Sequence, residues 1–220
     1  PQLLVGLTAT PERMDGKDLR PDFGNRISAE IRLPQALQAG LLTPFQYLCI
    51  SDDTDLSDDS LWSGQKYNIE RLADKLCAKT RARLIIDALH KYLADEYTCR
   101  ALCFCVNKRH ADFMAEQLRL YGFNAQSLTS DTPADERKQL AKDLREGTLH
   151  YLCVVDIFNE GVDLRGGGII KKQRPTESLT IFLQQLGRGL RLSAGKTELT
   201  VLDFVAQANR KYDFASRFRA

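Results

Sequence analysis

Strands and helices alternate along this sequence from about residue 44, and the alternation predicts an α/β fold: a parallel sheet with helices on both faces. Three observations carry that prediction. The segments PFQYLCI (44–50), ALCFCV (101–106), YLCVV (151–155) and LTVLDF (199–204) are runs rich in apolar residues, as in strands buried on both sides. The stretches between them place apolar residues three and four apart, the helical period. The chain is 43% hydrophobic and 27% charged over 220 residues, which is globular composition with room for one large domain or a domain and a half.

Composition also excludes several classes. No run approaches the roughly 20 apolar residues that cross a bilayer. The opening PQLLVGLTATPERMDG has no basic segment followed by an apolar core, so it does not read as a signal peptide. Lys plus Arg is 31 and Asp plus Glu is 29; with charge so nearly balanced, nucleic-acid binding must come from local patches.

Taken in order, LLVGL (3–7) reads as a buried strand ending in Thr8-Ala9-Thr10-Pro11. LPQALQAG (33–40) reads as a short helix, with Pro34 in its first turn and Gly40 past its end. After the strand at 44–50 comes an acidic run, Asp52, Asp53, Asp55, Asp58 and Asp59, expected as a solvated loop. From about Asn68 to Asp95 the pattern is helical, with Thr80 expected to cap a break between two helices. Leu72 and Leu76 lie on one stripe; Leu84, Ala88 and Lys91/Tyr92 lie on another. Asn107 is placed to cap the next helix, in which Ala111, Met114, Leu118 and Tyr121 recur and which Gly122 closes. NAQSLT is a short strand. Thr132-Pro133-Ala134-Asp135 is expected to open a further helix as a capping box, with Leu140 and Leu144 inward and Gly147 at the end. SLTIFLQQLG (178–187) reads as a helix.

The six cysteines, Cys49, Cys77, Cys99, Cys103, Cys105 and Cys153, include no C-x-x-C pair, and His90, His110 and His150 fall at no zinc-binding spacing. Buried, reduced thiols of a cytoplasmic protein are expected, with no metal site and no role for the histidines.

Three motifs bear on chemistry. Asn159-Glu160-Gly161-Val162-Asp163 follows the strand YLCVV, and ligands of a parallel sheet gather where strands end. A glycine there admits a ligand close to the backbone, and a carboxylate can bind a ribose or hold an arginine. Gln184-Gln185-Leu186-Gly187-Arg188-Gly189-Leu190-Arg191 sets two arginines three apart at a helix end. Their planar, permanently charged forks suit phosphate oxygens, though arginine is also favourable at a helix C-terminus for electrostatic reasons alone. Thr8-Ala9-Thr10 offers hydroxyls after a strand.

The order and spacing of these motifs resemble those of superfamily 2 helicase and translocase motors. Thr8-Ala9-Thr10 resembles motif III, ALCFCV with Asn107-Lys108 motif IV, Asn159 to Asp163 motif V, and Gln184 to Arg191 the Q-x-x-G-R-x-x-R of motif VI. AEIRLPQALQAGLLTPFQYLCISDDTDLS and RPTESLTIFLQQLGRGLR are similar to the helicases of restriction-enzyme subunits, which act on double-stranded DNA. The resemblance implies a RecA-like second motor domain at 41–220, preceded at 1–40 by a remnant of the first motor domain and a linker. It implies arginine fingers at Arg188 and Arg191, ATP contacts from Gly161, Asp163 and Gln184, nucleic-acid contacts from Asn107, Lys108, Thr129 and Ser130, and coupling through Thr8 and Thr10. The sequence carries no G-x-x-x-x-G-K-[ST] and no DEAH-like box. ATP and Mg2+ are therefore expected on the longer parent protein, with the missing first RecA-like domain as partner, DNA favoured over RNA and no membrane; the 220 residues alone are expected to be inactive. The alternatives are a DNA-translocating restriction subunit and a non-catalytic RecA-like module that binds nucleic acid or a partner. Leu164 to Gln173 departs from the family, which shows an apolar strand there; three glycines and two lysines predict a weak one.

Overall fold

The computed structural model describes residues 5–6, 20–63, 66–93, 95–155, 168–172, 186–187, 189–193 and 195–208. Within them six strands form one sheet in the order β1-β8-β7-β4-β6-β5, every neighbouring pair parallel. The strands are β1 (Phe45–Leu56), β4 (Arg100–Cys105), β5 (Ala125–Leu128), β6 (Tyr151–Val155), β7 (Gly168–Lys172) and β8 (Leu199–Ala208). β2 (Trp62–Ser63) and β3 (Lys66–Tyr67) make a small antiparallel hairpin apart from the sheet. Among the described residues, the α-helices α1 (Leu33–Gln38), α2 (Ile69–Leu76), α3 (Lys79–Tyr92), α4 (Lys108–Leu120) and α5 (Ala134–Glu146) accompany them.

Strand side chains alternate between faces, and the sheet builds a core on each. Ala101, Cys103 and Cys105 of β4 meet Cys153 of β6, Leu202 and Phe204 of β8, Ile85 and Leu89 of α3, and Met114 and Leu118 of α4. Leu102 and Phe104 face the other way, with Leu152, Val154, Leu199 and Val201, against Leu144 of α5 and against Leu186 and Leu190. Leu33, the first residue of α1, and Leu42, which follows the helix, pack on this second core. A third cluster joins Leu56 at the end of β1, Val106 after β4, Leu61 and Tyr67 around the hairpin, and Leu72 and Leu76 of α2. The hairpin and α2 therefore sit against the carboxyl edge of the sheet.

Local signals in the sequence account for most element ends. The Asn107 side chain accepts from the His110 N–H at 3.0 Å and starts α4. Gly147 takes φ +81° after α5 and Gly122 takes φ +84° after α4, conformations that side chains resist. Gly40 takes φ +65° beyond α1.

Several expectations need correction. The acidic run is not a loop at its start: β1 continues through Asp52 to Leu56, with an irregularity between Asp52 and Asp55. Asp52 is buried, its carboxylate accepting from Thr54 and from Arg81. The break between α2 and α3 lies at Cys77-Ala78; Ala78 is the cap position, and Thr80 is inside α3. Pro133 is the cap residue of α5, and Thr132 Oγ1 accepts from the Thr129 N–H at 3.0 Å instead of serving the helix. Of the stripe on α3, Lys91 and Tyr92 are exposed, and Tyr121 after α4 is exposed too. Only Cys103, Cys105 and Cys153 are fully buried; Cys77 and Cys99 are half-buried and Cys49 is exposed. The glycine- and lysine-bearing stretch holds a central strand, β7, between β4 and β8, because neighbours on both sides satisfy its backbone. Of LLVGL, Val5 and Gly6 are described and belong to neither helix nor strand. The helix expected at 178–187 lies outside the described residues except for Leu186 and Gly187.

No helix among the described residues is long and apolar enough to cross a membrane, and none of their His, Cys, Asp and Glu side chains group as a metal site.

Candidate functional site

Four of the sequence-singled residues come together. Asn107 and Lys108 follow the carboxyl end of β4; Thr129 and Ser130 follow that of β5. β6 lies between these two strands, so both turns emerge on one edge, on either side of Val155. The Lys108 ammonium bonds Asp131 Oδ1 at 2.5 Å across that gap and holds the Asp131 carboxyl below the usual carboxylate range. Both side chains are substantially exposed, so the pair is solvent-screened and readily exchanged.

The turn after β5 is tightly specified. Thr129 is buried, and its hydroxyl accepts from the Asp131 N–H at 3.3 Å. The Thr132 N–H donates to the Thr129 carbonyl at 3.2 Å. Arg137, from the first turn of α5, donates through Nε to the Thr132 carbonyl at 2.6 Å and through Nη2 to the Ser130 carbonyl at 2.7 Å. Thr129 thus shapes the turn from within, while Ser130 lies half-buried at its surface.

Asn107 is likewise committed: besides capping α4 it donates through Nδ2 to Glu70 Oε1 at 3.0 Å. Arg109 donates to Asp74 Oδ1 at 2.6 Å and to the Glu70 carbonyl at 3.3 Å. Carboxylates from α2 and from the β5 turn therefore engage three consecutive residues, 107 to 109. Immediately beneath, His110 is fully buried; its Nδ1 accepts from the Val106 N–H at 3.3 Å, and Nε2 has no partner among the described residues. Burial, with help from the Arg81 and Arg109 charges, pushes its pKa down to about 3, so the ring is neutral.

Arg191 stands elsewhere. Its main chain is held beside Thr43, whose hydroxyl donates to the Arg191 carbonyl at 3.2 Å and whose N–H donates to the Leu190 carbonyl at 2.7 Å. Thr43 precedes β1, and the next residue, Pro44, accepts from the Leu199 N–H at the start of β8. Arg191 is exposed at the amino edge of the parallel sheet, the edge opposite Asn107, Lys108, Thr129 and Ser130. Gly161, Asp163, Gln184, Arg188, Thr8 and Thr10 lie outside the described residues.

Sequence reading missed Arg109, Asp131, Arg137, Thr43 and Lys196. Thr43 and Arg191 are 148 positions apart, so no local pattern relates them. Arg137 sits on a helix at a spacing that reads as ordinary surface charge.

The helicase conserved C-terminal domain family matches residues 63–193. The chain belongs to that family. The match spans α2 through the Arg191 turn, including both strand-end turns of the carboxyl edge. This helicase C-terminal domain is 28% identical over 197 residues to a 51.5 kDa protein of a Lactococcus phage, covering 90% of the chain and 42% of the phage protein. It is 26% identical over 207 residues to the Saccharomyces cerevisiae protein named "Putative ATP-dependent helicase IRC3", covering 94% of the chain and 30% of the yeast protein. It thus spans less than half the length of either relative. In three dimensions it resembles the fragment structure of a putative HsdR subunit of a type I restriction enzyme from Vibrio vulnificus, with a TM-score of 0.66 and 21% identity, covering 97% of this chain and 40% of that one. It also resembles the Escherichia coli DEAD-box protein SrmB, with a TM-score of 0.50 and 21% identity, covering 74% of this chain and 78% of that one. The RecA-like α/β fold and the superfamily 2 membership of this helicase C-terminal domain follow.

Proposed function

We propose that the domain is the second RecA-like motor domain of an ATP-dependent helicase or translocase that acts on nucleic acid, DNA in preference to RNA. The observation that carries this reading is the meeting of Asn107 and Lys108 with Thr129 and Ser130 on one sheet edge, in a chain whose relatives bear the name ATP-dependent helicase. Turn hydroxyls, a helix N-terminus and an exposed lysine match phosphate oxygens and carry no base-reading groups. The grip is therefore on the nucleic-acid backbone, independent of sequence and weakened by salt. The preference for DNA is supported by the likeness of 29–57 and 174–191 to restriction-subunit helicases.

In this reading residues 41–220 form the second motor domain, and residues 1–40 belong to the end of the first and the linker. Arg188 and Arg191 face the γ-phosphate, Gly161, Asp163 and Gln184 contact the rest of the nucleotide, and Thr8 and Thr10 couple the domains. The phosphate cradle and the magnesium carboxylate belong to the first RecA-like domain of the longer protein. The donor set here fits such a nucleotide: Arg191 is exposed on a backbone fixed by Thr43 and Lys196, and a guanidinium fork suits a phosphoryl group. ATP with Mg2+, when bound, supplies the phosphoryl bond that is cleaved. The chain's own part is to aim positive charge at the charge that develops there, and to release and regain the nucleic-acid backbone as the domains open and close.

Steady-state ATPase assays on the full-length protein, with and without double-stranded DNA or RNA, test the reading. Arg191→Ala is expected to lower kcat by about 10³-fold or more, leaving nucleotide-free DNA affinity unchanged. Unimpaired kcat in Arg188→Ala and in Arg191→Ala, or stimulation by RNA alone, would overturn it.

A further inference from the structure

The end of the helical turn that carries Arg191 has its carbonyls taken by two residues from elsewhere in the chain. The Leu190 N–H donates to the Leu186 carbonyl at 3.1 Å, the last helical bond described before the chain turns away. The carbonyls of Gly189, Leu190 and Arg191 come next, at a helix end whose last C=O groups have no partner within the helix. Lys196 Nζ donates to the Gly189 carbonyl and, at 3.4 Å, to that of Arg191. Thr43 donates its N–H to Leu190 and its hydroxyl to Arg191. All three carbonyls are satisfied, and Arg191 is bonded from both sides.

These two residues are built for the task. Thr43 is 1% exposed, so its hydroxyl sits in one environment with one geometry. Lys196 is brought back by a tight turn in which Gly195 takes φ +77° and the Lys196 N–H donates to the Ser193 carbonyl at 3.1 Å. An ammonium beside the negative end of a helix is favourable. Placing it next to an arginine is not favourable in itself, because two cations repel. The carbonyls of Gly189 and Arg191, which accept from the ammonium, offset that repulsion. The result is a main chain held at three successive carbonyls beneath a long side chain.

We propose that Thr43 and Lys196 are positioning residues: they fix the backbone from which Arg191 reaches the γ-phosphate, and Thr43 ties that backbone to the point where the chain enters β1. The proposal rests on the nucleotide-facing role of Arg191 given above and goes beyond it by naming what aims the arginine. Thr43 lies directly after the segment read as the interdomain linker. Two hydrogen bonds therefore join the Arg191 turn to the end of that segment.

The test uses the full-length protein. Thr43→Val keeps the shape and the backbone N–H but removes the hydroxyl; Lys196→Met keeps the stem but removes the ammonium. Each is expected to lower kcat for ATP by about 10- to 100-fold, the scale of a catalytic group displaced by an ångström, with KM for ATP and nucleotide-free DNA affinity unchanged. Lys196→Arg is expected to restore most of the loss. In an Arg191→Ala background neither change should lower kcat further, because there is nothing left to aim. Near-normal kcat in Lys196→Met alongside a large loss in Arg191→Ala overturns the positioning role while leaving the arginine's role intact. A further multiplicative loss in the Arg191→Ala background also overturns it, since the effect would then be on stability. Normal kcat in Arg191→Ala itself overturns the underlying reading, and this inference with it. Lys196 is half-exposed and Lys196→Met leaves the core untouched, so the test survives if Thr43→Val folds poorly.

Discussion

Arg81 Nε donates to Asp52 Oδ2 at 2.6 Å, and both side chains are 2% exposed. The pair locks the first turn of α3 to β1 at the point where the strand's register shifts. Burial raises the Asp52 carboxyl, but the Arg81 charge and the two bonds from Thr54 outweigh it and hold the group below the usual carboxylate range. Removing one partner leaves the other charged and dry. Arg81→Met is expected to destabilise the domain by about 3–5 kcal/mol, read as a lower urea midpoint at unchanged m-value. The double variant Asp52→Leu/Arg81→Met should recover much of that loss, because it buries no lone charge. A single variant that unfolds at the wild-type midpoint would show that the pair contributes nothing.

His110 gives the fold an acid sensitivity of definite sign. Its folded pKa is near 3, while an unfolded histidine titrates near 6.5. Between those values the unfolded chain binds a proton that the folded chain refuses. Stability is therefore full above about pH 6.5 and declines as pH falls, by up to about 1.4 kcal/mol per pH unit, towards pH 3. Urea melts at pH 7, 6 and 5 check this. His110→Gln, which keeps an acceptor for the Val106 N–H, should flatten the dependence; equal slopes in both proteins would assign the acid sensitivity to other groups.

Gly147 ends α5 at φ +81° with nothing within 4 Å of where a Cβ would stand. The cost of Gly147→Ala is then conformational alone, about 1–2 kcal/mol. Thermal melts should show a drop of a few degrees, with the sheet's core unaffected. An unchanged melting temperature would mean that the turn can rearrange.

Lys108 and Asp131 should act on DNA affinity in opposite directions. Lys108→Ala in the full-length protein is expected to weaken binding similarly for all DNA sequences and to reduce the slope of log affinity against log salt by about 1. Asp131→Asn frees the ammonium and should tighten binding at low salt. Fluorescence anisotropy across a salt series measures both, and identical slopes for the wild type and Lys108→Ala would remove Lys108 from the interface.

Much of this domain was legible in its sequence, for local reasons. ALCFCV and YLCVV read as buried strands, because apolar runs this short suit strands covered on both faces of a sheet. Asn107, Gly122, Gly147 and Gly40 mark element ends through their own backbone preferences and side-chain geometry. The motif order from Asn107-Lys108 to Gln184–Arg191 pointed to the family through residue identity and spacing alone. Other features depended on partners distant along the chain. Asp52 reads as one more residue of an acidic run, and only Arg81, 29 positions away, makes it a buried strand residue. Gly168–Lys172 reads as a poor strand, and flanking strands on both sides make it a central one. The separation of Arg191 from the Asn107–Ser130 group onto opposite sheet edges was invisible as well, since spacing along a chain does not record which end of a parallel strand a turn leaves from. Sequence by itself determined what propensity, periodicity and short-range capping control; the tertiary structure alone decided which charges are buried, which carbonyls Thr43 and Lys196 hold, and which edge each motif serves, because those depend on contacts between residues that only folding brings together.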